Sequence, residues 1–137
     1  MKVEIDDGGY MPIRAYPTDA GLDLYSPIDI TVSAHGSAVI DTGVHIELPP
    51  NTFGKIESKS GLNVNHGIVS CGGVIDEGYT GSIMVKLYNL SDDNHWICRG
   101  AKIAQLIIQP CLYVPVEIGE INKNTERGDN GFGSTGL

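Results

Sequence analysis

Residues 72–81 read GGVIDEGYTG, and this stretch is the clearest indication of the fold in the chain. Two glycines lead into the apolar pair Val74 and Ile75, and two acidic residues and a third glycine follow. Glycines that frame a short apolar segment are typical of a tight β-hairpin. The pattern predicts a hairpin that presents Asp76 and Tyr79 at its rim, although a plain hairpin with acidic turn residues would have the same pattern.

Short β-branched runs lie on both sides of this hairpin, separated by turn signals in a chain that contains 18 glycines. The predicted strands cover residues 28–32, 38–48, 54–58, 82–90, 102–108 and 113–118. No long segment has the helical period of about 3.6 residues, and one helical turn is predicted over residues 60–65 with Ser60 as its N-cap. Many short strands at close spacing predict an all-β sandwich, jelly roll or barrel.

Length and charge limit the classes of function. The chain has 137 residues, which fits one domain, and a net charge of -8, which argues against binding to a long nucleic-acid backbone. A small anion can still bind where local donors outweigh the global field. Three widely spaced cysteines without a CxxC pair argue against a disulfide framework or a zinc site. Without a signal peptide or a membrane-spanning run, we expect a cytoplasmic protein with no membrane partner.

The end of the chain differs in composition from the rest. Residues 119–137 are polar and rich in glycine, so this segment cannot bury much apolar surface. The composition predicts a β domain over residues 1–118 and a flexible C-terminal arm over residues 119–137 of the same domain. The arm is either a frayed end or a segment that becomes ordered over a ligand.

Residues 131–136 of this arm, GFGSTG, formally match the GxGxxG pattern. A dinucleotide-binding fold needs a helix after that pattern, and none is expected here. Glycine backbone amides, the hydroxyls of Ser134 and Thr135 and the guanidinium of Arg127 are together suited to clasp a phosphate. The ring of Phe132 is suited to stack on a base.

Three further constellations combine polar and apolar residues. Residues 58–62 read SKSGL and place a cation, a hydroxyl and a glycine at the start of a helical turn, which favours an anion site or an ordinary capped turn. Residues 19–26 read DAGLDLYS and put Asp23 on the polar face of a strand, as a solvated acid or an acid linked to a metal. Residues 99–107 read RGAKIAQLI, where Gln105 interrupts a buried strand and needs a polar partner.

Taken in order, AGLDLYS, SKSGL, GVIDEGYTG, RGAKIAQLI and ERGDNGFGSTG resemble the motifs of the trimeric dUTPase family, and they span residues 20–136. The resemblance implies a distorted jelly roll (β-clip) and a homotrimer with an exchanged C-terminal arm and with active sites at subunit interfaces. It also implies hydrolysis of dUTP to dUMP and pyrophosphate with Mg²⁺. Such a reaction supplies dUMP and keeps uracil out of DNA.

The same resemblance assigns roles to single residues. Asp76 would be the general base that activates water, Tyr79 would pack against the deoxyribose, and Asp23 would act near the metal through water. The residues that would hold uracil are Gly73, Val74 and Ile75. The residues that would hold the phosphates are Lys59, Ser60, Gly61 and Gln105. The residues of the closing lid would be Arg127, Phe132, Gly133, Ser134 and Thr135.

Two positions depart from the family pattern, because Lys59 stands where arginine is usual and Ala101 where aspartate is usual. The related dCTP deaminases carry a catalytic glutamate on the strand after the hairpin, whereas this chain has Lys86 there and no glutamate over residues 80–94. A regulator that binds nucleotide and a protein partner is a second alternative, which stays open as an additional role. We expect dUTP as substrate and no direct nucleic-acid partner.

Overall fold

The computed structural model describes residues 1–71 and 73–131, and within them the chain forms eleven strands and one short helix. The elements are β1 (Lys2–Ile5), β2 (Gly21–Tyr25), β3 (Ile30–Val32), β4 (Ser37–Asp41), β5 (Val44–Glu47), β6 (Thr52–Ser58), α1 (Ser60–His66), β7 (Ile68–Cys71), β8 (Val74–Ile75), β9 (Met84–Asn89), β10 (His95–Ile97) and β11 (Lys102–Pro110). The prediction of an all-β protein is confirmed. No helix among the described residues is long and apolar enough to cross a membrane.

Two antiparallel sheets form the body of the fold. One has the strand order β2-β11-β6-β8 and the other has the order β4-β9-β7. Two smaller pairs, β1 with β5 and β3 with β10, complete the architecture. Strand β11 is the longest and pairs on one side with β2 and on the other with β6, so it aligns residues that are far apart in the sequence.

The two larger sheets share one apolar core. Leu24 and Leu106 from the first sheet and Val85 and Leu87 from the second are fully buried in the same cluster. Along β9, buried and exposed residues alternate, as expected for a strand with one face on the core. Each such buried side chain contributes roughly 1.5–3 kcal/mol. The shared core therefore holds the two sheets together, and polar residues lie at the edges and ends of the sheets.

Some local predictions are wrong. The sequence predicts one strand over residues 38–48, but the chain bends between β4 and β5, where Gly43 has a φ of 64° and the buried Thr42 donates to the carbonyl of Ile83 at 2.7 Å. Ser60 is the first residue of α1 and not its N-cap. The N-cap is Lys59, with extended backbone and no capping side chain.

The predicted strand over residues 113–118 is also absent. This segment lies outside any sheet of the described chain, and its apolar residues Val116 and Ile118 are 95% and 108% exposed. The amino-acid pattern is that of a strand, but no other strand of the described chain lies beside it. The last strand ends at Pro110.

Candidate functional site

Strand pairing brings three of the predicted constellations to one end of the first sheet. Asp23 on β2 lies opposite Gln105 on β11, and Gln105 lies opposite Glu57 on β6. Strand β6 ends one residue later at Ser58, directly before Lys59. Residues that are far apart in sequence therefore form one polar corner, which we call the Asp23 corner.

Asp23 is the centre of this corner and is only 3% exposed, so its interpretation as a solvated acid on the polar face of a strand is wrong. The ammonium of Lys59 lies 2.5 Å from one carboxylate oxygen, and that of Lys102 lies 2.7 Å from the other. Burial opposes ionisation, but hydrogen bonds from Lys102 and Lys59 outweigh it and hold the pKa of Asp23 below its usual value. The three groups therefore carry one surplus positive charge, which suits an anionic ligand.

Gln105 is held in a fixed position within the Asp23 corner. Its side-chain amide donates to the carbonyl of Ser58 at 3.0 Å, which confirms the prediction that it needs a polar partner. Its other side lies against Gly21, where an added Cβ would collide with the Gln105 Oε1 atom. Position 21 therefore needs glycine so that the Gln105 side chain can cross the neighbouring strand.

The start of α1 lies beside the same corner. Ser60 and Gly61 are exposed, and a Cβ on Gly61 would meet nothing within 4 Å. The first amides of a helix have no partner within the helix and point outward. This side of the Asp23 corner has open space and backbone donors for a bound anion.

The prediction of a β-hairpin around Asp76 is wrong, because β8 does not pair with the next strand, β9. Strand β8 pairs with β6, with Ile75 opposite Gly54, whereas β7 pairs with β9. Before β8, the carbonyl of Gly73 accepts a hydrogen bond from the amide of Ile56 at 2.7 Å. An added Cβ at Gly73 would collide with the Ile56 Cβ, so glycine is needed for this close approach.

A turn after β8 presents the candidate base. The amide of Tyr79 donates to the carbonyl of Asp76 at 3.0 Å and closes the turn, and both side chains are exposed, as predicted. The Tyr79 hydroxyl donates to the carbonyl of Ser82 at 3.0 Å. The turn, which we call the Asp76 turn, therefore has internal order and an accessible carboxylate.

Glu77 anchors this turn through two hydrogen bonds, and no sequence pattern singles it out. Its carboxylate accepts from the amide of Asn51 at 2.9 Å and from the Tyr113 hydroxyl at 2.5 Å. The hydrogen bond to Glu77, with the charges nearby, raises the pKa of Tyr113 to about 12. Glu77 thus ties the Asp76 turn to the loop before β6 and to the segment that follows β11. No spacing in the sequence indicates this contact.

The Asp23 corner and the Asp76 turn lie at opposite ends of β6. Strand β8 runs antiparallel to β6 and pairs Ile75 with Gly54, so the next residue, Asp76, lies near the start of β6. Lys59 directly follows the last residue of β6. Residues 53–59 span about 20 Å at roughly 3.3 Å per residue. The predicted base and the predicted phosphate ligand Lys59 are therefore not brought together within one chain.

The predicted residues of the C-terminal arm contribute no described contact to the Asp23 corner or to the Asp76 turn. Arg127 lies on the exposed C-terminal segment, where its Nε donates to the carbonyl of Asn130 at 3.2 Å. The predicted lid residues Phe132, Gly133, Ser134 and Thr135 lie outside the described residues. Within residues 1–71 and 73–131, no three His, Cys, Asp or Glu side chains are grouped as metal ligands.

Known proteins resemble this chain over nearly its whole length. A family model described as dUTPase matches residues 8–136. The deoxyuridine 5'-triphosphate nucleotidohydrolase of Clostridium kluyveri is 44% identical over 135 residues, which cover 96% of this chain and 94% of that protein.

The fold of this chain is also similar to the solved structures of two phage dUTPases. The dUTPase of Staphylococcus bacteriophage 80alpha with dUPNHPP has a TM-score of 0.91 and 28% identity, over 99% of this chain and 98% of that one. A mutant dUTPase from phage phi11 of S. aureus, described with a structural Mg(II) ion, has a TM-score of 0.78 and 25% identity, over 90% of this chain and 97% of that one. The chain belongs to the dUTPase family.

Proposed function

We propose that this protein hydrolyses dUTP to dUMP and pyrophosphate and that Asp76 is the general base. The observation that carries the proposal is an accessible carboxylate on an ordered turn, next to an edge strand, in a member of the dUTPase family. In the reaction, Asp76 takes a proton from water, the water oxygen forms a new bond to phosphorus, and the bond between the α- and β-phosphates breaks. Pyrophosphate is the leaving group.

Uracil is bound along β8 in this proposal. Strand β8 lies at the edge of its sheet, and edge strands present backbone N–H and C=O groups. The backbone of Gly73, Val74 and Ile75 offers a donor and acceptor pattern that can match uracil and leave cytosine with unpaired groups. Tyr79 packs against the deoxyribose from the same turn and leaves no room for a 2′-hydroxyl.

The phosphates are bound at the Asp23 corner. Lys59 and Gln105 are fixed there by their contacts with Asp23 and Ser58, and Ser60 and Gly61 offer donors at the start of α1. Lysine is a point charge without the planar fork of arginine, so Lys59 neutralises phosphate with less control of its orientation. Asp23 therefore acts as a positioning residue for the lysine.

The family resemblance implies a homotrimer, and two observations support sites between chains. The separation of about 20 Å along β6 means that one chain cannot place its own Asp76 beside its own Lys59. In addition, apolar side chains on the segment after β11 are almost fully exposed, as expected for a strand that pairs with another subunit. In this arrangement the arm with Arg127, Phe132, Gly133, Ser134 and Thr135 closes over a neighbouring site.

Mg²⁺ fits this site only in an indirect way. Both oxygens of the Asp23 carboxylate are already bonded to lysine ammonium groups, so direct coordination by Asp23 does not fit. Mg²⁺ usually keeps several waters and is bound largely through substrate phosphates, and it needs no protein cage. When it is bound, the ion neutralises charge on the phosphates. Asp23 would contact a water ligand of the ion and not the ion itself.

A panel of nucleotides tests the proposed reaction. Purified full-length protein with Mg²⁺ should release pyrophosphate from dUTP far faster than from dCTP, dTTP or UTP. Comparable rates with all four would contradict the uracil and deoxyribose assignments. Release of ammonia from dCTP would favour a deaminase, and binding of dUTP without turnover would favour a purely regulatory role.

Removal of residues 127–137 tests the arm separately. We expect the truncated protein to keep its oligomeric state and to lose most of its turnover, because the arm only closes the site. A protein that becomes monomeric after this truncation would show that the arm is part of the subunit interface.

A further inference from the structure

We propose that His66 and His95 form a binding site for a divalent transition-metal ion that prefers imidazole ligands, away from the nucleotide site. His66 is the last residue of α1 and His95 is the first residue of β10. Their ring centroids are 4.7 Å apart and the rings are inclined by 42°. Both histidines line an open cavity of about 320 Å³, which is also lined by Ser91, Asp93 and two asparagines.

The spacing of the two rings fits coordination of one ion. With metal–nitrogen bonds of about 2.0–2.1 Å, two imidazoles on adjacent positions of one ion have centroids roughly 4.5–5.2 Å apart. The observed 4.7 Å lies inside this range. The cavity has room for the ion and for the water molecules that complete its coordination.

A loop with several internal hydrogen bonds borders the cavity. Asn89 is 1% exposed, and its side chain donates to the carbonyls of Val32 at 3.0 Å and Asp93 at 2.7 Å and accepts from the amide of Ser91 at 3.0 Å. The amide of Leu90 donates to the carbonyl of Gly67, the residue directly after His66, at 2.9 Å. The loop that leads to His95 is thus fixed against the end of α1, and the two rings are preorganised.

The chemistry of the ligands selects the class of ion. A neutral imidazole offers a ring-nitrogen lone pair to a metal ion, and two such rings lie together here. Imidazole suits Zn²⁺, Ni²⁺ and Cu²⁺, whereas Mg²⁺ prefers oxygen ligands. The net charge of -8 further favours a cation. A bound ion would join α1, which begins at the proposed phosphate ligand Ser60, to the first residue of β10.

The experiment uses Ni²⁺ with untagged full-length protein. Trp96 is the only tryptophan, lies next to His95 and is 63% exposed, so its fluorescence reports on the site. We expect Ni²⁺ to quench it to saturation, calorimetry to give one ion per chain, and the thermal midpoint to rise. His66→Gln and His95→Gln should each weaken binding by about tenfold or more, since even outer-shell changes cost 10–100-fold.

Three controls separate this site from other sources of binding. His45→Gln removes a histidine on β5 and should leave the Ni²⁺ affinity unchanged, as should Cys98→Ser, which removes the thiol two residues after Trp96. Mg²⁺ should not quench the fluorescence. Unchanged affinity in a folded His66→Gln, His95→Gln double variant would overturn the proposal. Loss of binding in Cys98→Ser, or no saturable Ni²⁺ binding to the native chain, would overturn it too.

Discussion

The Asp23 corner and the Asp76 turn lie on the same sheet but are built in opposite ways. The Asp23 carboxylate is buried and bonded to two lysines, and neighbouring Gln105 is bonded to the backbone of β6. Asp76 instead lies exposed on a turn after a strand of two residues. A single chain completes the interactions of the first region, whereas the second presents its functional group to a ligand or to another chain.

This difference matches the two roles in the proposed reaction, which are phosphate binding and general-base catalysis. Residues that bind phosphate do so more tightly when hydrogen bonds and ion pairs already hold them in place, because preorganised groups lose little conformational freedom on binding. A general base must stay accessible to water and must not be neutralised by a salt bridge. The sheet places the two groups at opposite ends of β6, and in the proposed assembly a second copy of the chain brings them together.

Replacement of Asp76 by asparagine should give the largest effect. We expect turnover of dUTP to fall by roughly 10²–10⁴-fold, since asparagine cannot take a proton from water. Binding of a non-hydrolysable dUTP analogue, measured by calorimetry, should change little. Glu77→Gln serves as the neighbouring control and should retain far more activity. A fully active Asp76→Asn enzyme would show that another group is the base.

Mixing two inactive variants tests whether the two regions meet between chains. In oligomers formed randomly from equal amounts of Asp76→Asn and Lys59→Ala, about a quarter of the sites contain both native groups if different chains supply them. Pyrophosphate release should therefore recover well above that of either variant alone. No recovery, despite mixed oligomers in native mass spectrometry, would mean that one chain supplies both groups.

Replacement of Asp23 by asparagine should destabilise the protein by about 1–3 kcal/mol, because it removes one partner of a largely buried ion pair. The pKa of Asp23 is lowered below 3.8 on folding, so this stabilisation is present above about pH 4 and is lost at lower pH. Chemical unfolding of both proteins at several pH values measures the difference.

The matched control for Asp23 is the exposed pair of Lys2 and Glu47, whose atoms are 2.8 Å apart. Glu47→Gln should leave the midpoint of unfolding unchanged within error, because exposed ion pairs are screened by water. An equal loss of stability in both variants would show that burial of Asp23 is not the cause. A difference between native protein and Asp23→Asn that grows at acid pH would contradict the assigned direction of its pKa.

The smallest expected effect concerns the contact between Glu77 and Tyr113. Because Glu77 raises the pKa of Tyr113 to about 12, Glu77→Gln should shift its ionisation toward that of an ordinary tyrosine. The ring carbon resonances of labelled tyrosine, followed by NMR with rising pH, report this shift, and Tyr113→Phe identifies the signal. An unchanged titration in Glu77→Gln would mean that the contact does not form in solution.

Much of the outline follows from local patterns in the sequence. Alternation of apolar residues is enough to place a strand with one buried face, which is why β9 and β11 are near their predicted positions. Glycine-framed acidic turns likewise predict the exposed positions of Asp76 and Tyr79. The order of the five motifs along the chain is sufficient to identify the dUTPase family.

Sequence patterns by themselves determined the all-β class, the family and the candidate base of this protein. Only the tertiary structure decided that β8 pairs with β6, that Asp23 is bonded to two lysines, and that Glu77 anchors the turn. The physical reason is that alternation of side chains and turn chemistry are local properties. Strand partners and ion pairs depend instead on which distant residues the folded sheet aligns, and the strand pattern of residues 113–118 does not show whether a partner strand lies beside it.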